Sequence, residues 1–269
     1  MYSRSSGKFN SVSELYPADK YWKSFTKTWH NTPYPQISPL QPELQVKDSV
    51  VFITGGGTGI GKAAAIAFAQ AGAKTIAIFG RRVDKLQSAS GEIRTANPNG
   101  TTEVVFESVD LSERSAVESA FAKALEKAGA SKIDIFIPNA GIKQPQGSVA
   151  GYDQEQFLNG LKLNMVGAFN TVQVMLPLLA PKAKVLHISS GIAHIYHVPG
   201  TWPYAGTKIA NTKMFEYLQE ENPDLHIVNV QPGVVSTEIN VDMQHEDFAV
   251  DHGRYTPRSH HITPANLAL

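Results

Sequence analysis

The sequence predicts an α/β fold, a doubly wound parallel sheet with helices on both faces, and three observations predict it. From Ser49 to Val230 short apolar runs alternate with longer amphipathic ones, the pattern of strands joined by crossover helices. The short runs are β-branched and apolar almost throughout, as strands covered on both faces must be. A chain of 269 residues with 42% hydrophobic and 18% charged composition is long enough to bury one substantial core.

The strands are "SVVFIT" (49–54), "KTIAIF" (74–79), "EVVFESV" (103–109), "IDIFIP" (133–138), "AKVLHIS" (183–189) and "LHIVNV" (225–230), six in all. Helices are predicted over 62–73, 84–96, 114–129, 153–180 and 205–221, where apolar residues recur three and four apart. These elements define one domain over residues 47–237. Residues 1–46 precede it as an arm: Trp22, Phe25 and Trp29 lie at helical spacing, then Pro33, Pro35, Pro39 and Pro42 forbid a helix. We expect this arm to pack on the domain by its aromatics, with a partner-binding segment as the alternative. Residues 238–269 form an irregular tail.

Composition narrows the function. With 24 basic and 24 acidic residues the net charge is zero, so neither nucleic acid nor a membrane surface is an expected partner. The chain has no cysteine, which excludes disulfides, thiolate metal sites and a cysteine nucleophile, and is compatible with a reducing compartment. No apolar h-region opens the chain and no apolar run reaches the ~18 residues of a membrane span, so a cytoplasmic protein is expected.

"FITGGGTGIGKA" (52–63) fits two phosphate loops. Gly56, Gly61 and Lys62 match most of a nucleoside triphosphate loop, but the hydroxyl that would hold Mg²⁺ is replaced by Ala63. A dinucleotide turn needs a strand before it, glycines where backbone meets pyrophosphate, and a helix directly after; residues 49–70 supply all three, in a Rossmann-like arrangement. The spacing, from Thr54 through Gly55 and Gly59 to Gly61, departs from G-x-G-x-x-G, and a glycine corner alone is weak evidence. In "YAGTK", Tyr204 and Lys208 are one helical turn apart, and an ammonium beside a phenol with an ordinary pKa near ~10 favours the phenolate. "HISSGIAH" ends a buried strand with two hydroxyls, and Ser190 is placed to bond a substrate oxygen or to cap a turn.

Together, "TGGGTGIG" (54–61), Asp110 and Leu111, "NAG" (139–141), Asn164, Ser190, "YAGTK" (204–208) and "PGVVST" (232–237) resemble the short-chain dehydrogenase/reductase family of single-domain type. The resemblance spans Val46 to Thr237, and "TWHNTPYPQISPLQPEL" in the arm is similar to a fungal branch of it. It implies a nicotinamide cofactor across the C-terminal edge of the sheet and a hydride exchanged with a small carbonyl or secondary alcohol substrate. Tyr204 would be the general acid/base and Lys208 would lower its pKa and bind the ribose. Ser190 would orient the carbonyl, and Asn164 would hold a proton-relaying water. Gly55, Thr58, Gly59, Ile60 and Gly61 would cradle the pyrophosphate, Asp110 and Leu111 the adenine, and Asn139, Ala140 and Gly141 the adenosine side. Pro232, Gly233, Val235 and Thr237 would meet the nicotinamide amide.

Two features depart from the family pattern. The segment between Ser190 and Tyr204 is one residue longer than is typical, so that Ser189 competes for the serine role, and it carries His194, Tyr196, His197 and Trp202 toward the substrate mouth. The tail is short: Pro257, Pro264 and polar clusters leave no run of strand length, and His245, His252, His260 and His261 match no metal-ligand spacing. Without a seventh strand the sixth becomes an edge, so lower stability, weak or altered homo-oligomerisation and a poorly closed site are expected, as for an incomplete or alternatively spliced product. Cofactor choice follows from "IFGRRVDKL": no acidic residue ends the second strand, and Arg81 is placed for a 2′-phosphate, making NADP(H) the preferred cofactor and NAD(H) the second, while Arg82 starts a solvated helix. The competing function is a nucleotide-binding scaffold without chemistry, against which the intact Ser, Tyr and Lys set argues.

Overall fold

The computed structural model describes residues 33–194, 198–233, 235 and 237–240. Trp22, Phe25, Trp29, Tyr196, His197 and the tail histidines lie outside them, as does nearly all of the stretch on which the absent seventh strand was predicted. Six strands form one parallel sheet: β1 (Val50–Thr54), β2 (Thr75–Gly80), β3 (Glu103–Ser108), β4 (Ile133–Ile137), β5 (Leu179–Ile188) and β6 (His226–Val230). Their spatial order is β3-β2-β1-β4-β5-β6, so the winding reverses between β1 and β4 and opens a crevice beyond their C-terminal ends. All six predicted strands are present.

The helices are α1 (Gly59–Gln70), α2 (Val83–Ala96), α3 (Arg114–Lys127), α4 (Gln154–Leu161), α5 (Gly167–Met175) and α6 (Trp202–Glu221). Strand alternation sends β1 side chains to both sides. Val51 and Ile53 pack with Ala64, Leu86 and Ile93 from α1 and α2, while Val50 and Phe52 join Phe121, Val172 and Phe215 from α3, α5 and α6. On the second face Phe79 lies 5.1 Å from Phe52 and 4.6 Å from Phe121, ring centre to ring centre, in tilted contacts that add to the area they bury.

The helix predicted over 153–180 is broken in two places. A π-helical turn, Lys162–Val166, separates α4 from α5, and a 3₁₀ turn at Leu176–Leu178 ends the run at Pro177. β5 accordingly starts four residues early, at Leu179, and its register against β4 jumps from Ile133↔Leu179 to Ile135↔Lys184. Pro181 and Lys182, the latter at φ 61°, occupy the bulge. Before β1 the described part of the arm makes two 3₁₀ turns, Pro35–Ile37 and Pro42–Leu44. It then joins the domain through the Val46 amide, which donates to the Ala71 carbonyl at 2.9 Å. Among the described residues no helix is long and apolar enough to cross a membrane.

Candidate active site

The corner after β1 is tight because backbone meets backbone. Gly55 has φ +69° and Gly59 φ +55°, and a Cβ on Gly61 would lie 2.4 Å from the Gly55 carbonyl oxygen, so only glycine lets α1 start there. Thr54 ties this corner to β4: its Oγ1 accepts from the amides of Asn139 (3.0 Å) and Ala140 (3.1 Å), while Asn139 Nδ2 donates to the Thr54 carbonyl at 2.9 Å. Asn139 therefore braces the glycine turn with its side chain, and Gly141 beyond it comes close to Asn164, whose Oδ1 would be 3.4 Å from an added Cβ. Lys62, the residue that suggested a triphosphate loop, donates to Glu92 on α2 at 2.9 Å and faces away from the turn.

Asp110 ends the β3 connection in an Asx-type turn, its Oδ1 accepting from the Ser112 amide (3.0 Å) and hydroxyl (2.8 Å). Burial pushes its carboxyl up, but the Ser112 bonds with Arg81 and Lys162 nearby outweigh this and hold it below its usual value. Leu111 is fixed beside it, since Asn170 Nδ2 donates to its carbonyl at 3.1 Å.

Asn164 lies in the π turn and is buried, not solvent-facing as a mid-helix asparagine usually is. Its Oδ1 accepts from the Ile142 amide at 2.8 Å and its Nδ2 donates to the Ile142 carbonyl at 2.8 Å, with Gln144 Oε1 at 3.2 Å and Thr207 Oγ1 at 3.3 Å. One amide thus joins the segment after β4 to α6. The Asn164 backbone carbonyl accepts from Asn211 Nδ2 at 2.9 Å.

The Ser190 hydroxyl lies near enough to the Tyr204 phenol to favour its ionised form. Ser190 also occupies the N-cap position of the turn Gly191–Ala193, but its hydroxyl does not cap that turn. The Ser189 hydroxyl instead shares a 2.6 Å bond with Thr212 on the buried side of α6. Lys208 Nζ lies 5.8 Å from the centre of the Tyr204 ring and donates to the Ile188 carbonyl at 2.8 Å. The expected lowering of the phenol is not what the geometry produces: burial pushes Tyr204 up to about 12, against a smaller lowering by Ser190. Burial also brings Lys208 down to about 8, because desolvation disfavours the charged ammonium.

At the far side of the crevice Val235 is buried, and the Thr237 hydroxyl is buried without a hydrogen-bond partner. The Thr237 methyl lies over the glycine turn, 3.3 Å from where a Gly59 Cβ would be. Pro232 and Gly233, the latter at φ 78°, turn the chain toward it from β6. Arg81 is exposed beside Asp110, whereas Arg82 does more than start α2: it pairs with Glu238 at 3.0 Å and donates to Thr58 Oγ1 at 3.4 Å. Trp202 packs edge-on to Tyr152 at 5.3 Å and tilted to Phe157 at 5.3 Å, and its buried indole nitrogen has no partner. Gln144, Thr207, Asn211 and this aromatic cluster were not anticipated from the sequence, since their partners lie 20 or more residues away, as in the 43-residue step from Asn164 to Thr207.

His187 lies behind the site, stacked on Phe215 at 4.2 Å. Its Nδ1 is 2.7 Å from Asn229 Oδ1; the Asn229 amide nitrogen is committed to the Thr212 carbonyl, so the imidazole proton sits on Nδ1. Burial, with Lys208 nearby, lowers its pKa from 6.5 to about 3. The unfolded chain therefore takes up a proton first as the pH falls. The His187 contribution is complete above pH 6.5 and is lost as the pH drops toward 3. Urea unfolding across this window should show a fall on the order of 3–5 kcal/mol that is largely absent in His187→Gln.

Residues 49–247 match the family model for short chain dehydrogenases, and the chain belongs to this oxidoreductase family. It is 30% identical over 220 residues to the short chain dehydrogenase pigC of Monascus ruber, covering 80% of this chain and 71% of that one. Among solved structures it is similar to an alcohol dehydrogenase from the archaeon Thermococcus sibiricus complexed with 5-hydroxy-NADP, with TM-score 0.63 and 29% identity over 70% of this chain and 77% of that one. A 3-ketoacyl-(acyl-carrier-protein) reductase from Brucella melitensis complexed with NADH has TM-score 0.64 and 26% identity, covering 72% of this chain and 78% of that one.

Proposed function

We propose that the protein is an NADP(H)-dependent oxidoreductase that exchanges a hydride between nicotinamide and a carbonyl or secondary alcohol. The observation that carries this is Tyr204 with Lys208 one helical turn on, its Nζ 5.8 Å from the ring centre, beside Ser190 just past the C-terminal end of β5. The residues present fit the cofactor: a glycine turn with no room for a Cβ at Gly55, Gly56 or Gly61, an unpartnered buried hydroxyl on Thr237, whose methyl lies over that turn, and cationic Arg81 at the end of β2. When bound, the nicotinamide supplies or accepts the hydride. Gly55 through Gly61 would hold the pyrophosphate, Asp110, Leu111 and Asn139–Gly141 the adenosine, and Pro232–Thr237 the nicotinamide amide.

In the direction of reduction, Tyr204 is protonated at neutral pH and gives its proton to the carbonyl oxygen as that oxygen gains charge. Ser190 donates a hydrogen bond to the same oxygen, and Lys208 stabilises the phenolate left on Tyr204. Asn164 braces Ile142, and a water held at Asn164 would relay protons to Lys208. The Thermococcus relative's complex with an NADP derivative supports the phosphate-bearing cofactor, and the Brucella reductase's complex with NADH keeps NAD(H) as the second candidate. NADPH should bind roughly tenfold more tightly than NADH, and Arg81→Ala should erase most of that difference. Titration by intrinsic fluorescence checks it, and equal affinities in the unmodified protein would contradict it.

A further inference from the structure

We propose that Glu238 is a cofactor-specificity residue whose carboxylate holds the Arg82–Lys85 anion site against the 2′-phosphate of NADP(H). The inference rests on the oxidoreductase reading above. Glu238 opens the turn Glu238–Asn240, directly after Thr237, and so begins the segment that leaves the nicotinamide side of the crevice. From there it reaches the opposite wall: Oε2 is 3.0 Å from Arg82 Nη1 and Oε1 is 3.6 Å from Lys85 Nζ, so each oxygen takes one cation. Arg82 uses its other terminal nitrogen on Thr58 Oγ1 at 3.4 Å, which anchors the cluster on the glycine turn. The carboxyl is held below its usual value, first by the Arg82 hydrogen bond and then by the Arg82 and Lys85 charges.

This arrangement is a bridged anion site, and its occupant belongs to the chain. Arg82 immediately follows Arg81 and caps α2 at the end of β2, the wall that receives the ribose 2′ position in a dinucleotide fold. A phosphate there competes with Glu238 for the same donors and is repelled by it when both are present. A ribose carrying only a 2′-hydroxyl does neither. Glu238 therefore weakens NADP(H) selectively while leaving NAD(H) alone, and it moderates the preference that Arg81 sets. The ion pairs are solvent-exposed, so the effect is a modest one and diminishes with salt.

Calorimetric titration with 2′,5′-ADP and 5′-AMP, alongside NADPH and NADH, tests the inference on the full chain. In Glu238→Gln, which keeps the shape and removes the charge, 2′,5′-ADP and NADPH should bind about three- to tenfold more tightly at low salt, with 5′-AMP and NADH changed less than twofold. In an Arg82→Ala, Lys85→Ala background the same substitution should give less than half of that gain. Unchanged 2′,5′-ADP affinity in Glu238→Gln, or equal tightening of 2′,5′-ADP and 5′-AMP, would overturn the role of Glu238 alone. Failure of every variant to bind either dinucleotide would overturn the oxidoreductase reading and this inference with it.

Discussion

Tyr204→Phe is expected to reduce turnover by a thousandfold or more, on the order of 4 kcal/mol in the barrier, while leaving NADPH affinity within about twofold. In the proposed mechanism the phenol hydroxyl gives its proton to the reacting oxygen, and the neighbouring Ser190 hydroxyl has no acidity to replace it. The ring remains in place, so the shape of the site and the position of Lys208 are preserved. Lys208→Ala should behave differently and impair both turnover and cofactor affinity, because its ammonium stands between the Tyr204 ring and the sheet. Steady-state rates with a panel of ketones and aldehydes, paired with fluorescence titration of NADPH, separate the two patterns. A Tyr204→Phe protein that kept more than a few per cent of the rate would sink the acid/base assignment.

Gly61→Ala should damage both stability and cofactor binding. The added methyl would lie 2.4 Å from the Gly55 carbonyl oxygen and 2.5 Å from Asn139 Nδ2, and neither is the free end of a flexible side chain. Asn139 holds the Thr54 carbonyl, so relief requires the glycine turn itself to move. Overpacking of this kind costs about 1–3 kcal/mol, a Tm loss of roughly 2–10 °C in a domain of this size. NADPH affinity should fall by at least about tenfold, because the displaced amides are those that would meet the pyrophosphate. Gly91→Ala, in α2 with open space around it, serves as the control and should leave both measurements unchanged or slightly improve the melt.

The contrast between these two glycines shows what the sequence made legible. Strand, glycine turn and helix form a local unit, so residues 49–70 announced their conformation in consecutive letters, and the structure places Gly55, Gly59 and Gly61 at the corner as expected. The same holds for Tyr204 and Lys208, whose spacing is a property of one helix. The break at Asn164 was hidden because its cause is the backbone of Ile142, which takes the asparagine amide from 22 residues away. Pro177 and Pro181 did signal that the run to residue 180 could not stay helical, and the apolar periodicity of "VQVMLPLLA" masked them.

Arg82 makes the same point for charge. Its solvated position at the start of α2 followed from the sequence, but its pairing with Glu238 spans 156 residues and depends on the turn after β6 reaching across the crevice. The pKa of Tyr204 differs for a related reason: the helical spacing of Lys208 suggested a lowered phenol, while burial, a tertiary property, pushes it up.

Isotope transfer tests the central claim most directly. With NADPH carrying deuterium at C4 of the nicotinamide and a panel of ketones and aldehydes, mass spectrometry of the alcohols formed should find the label on the carbinol carbon for the unmodified protein and not for Tyr204→Phe. Tight NADPH binding with no label transferred to any substrate would contradict the account and favour a nucleotide-binding scaffold.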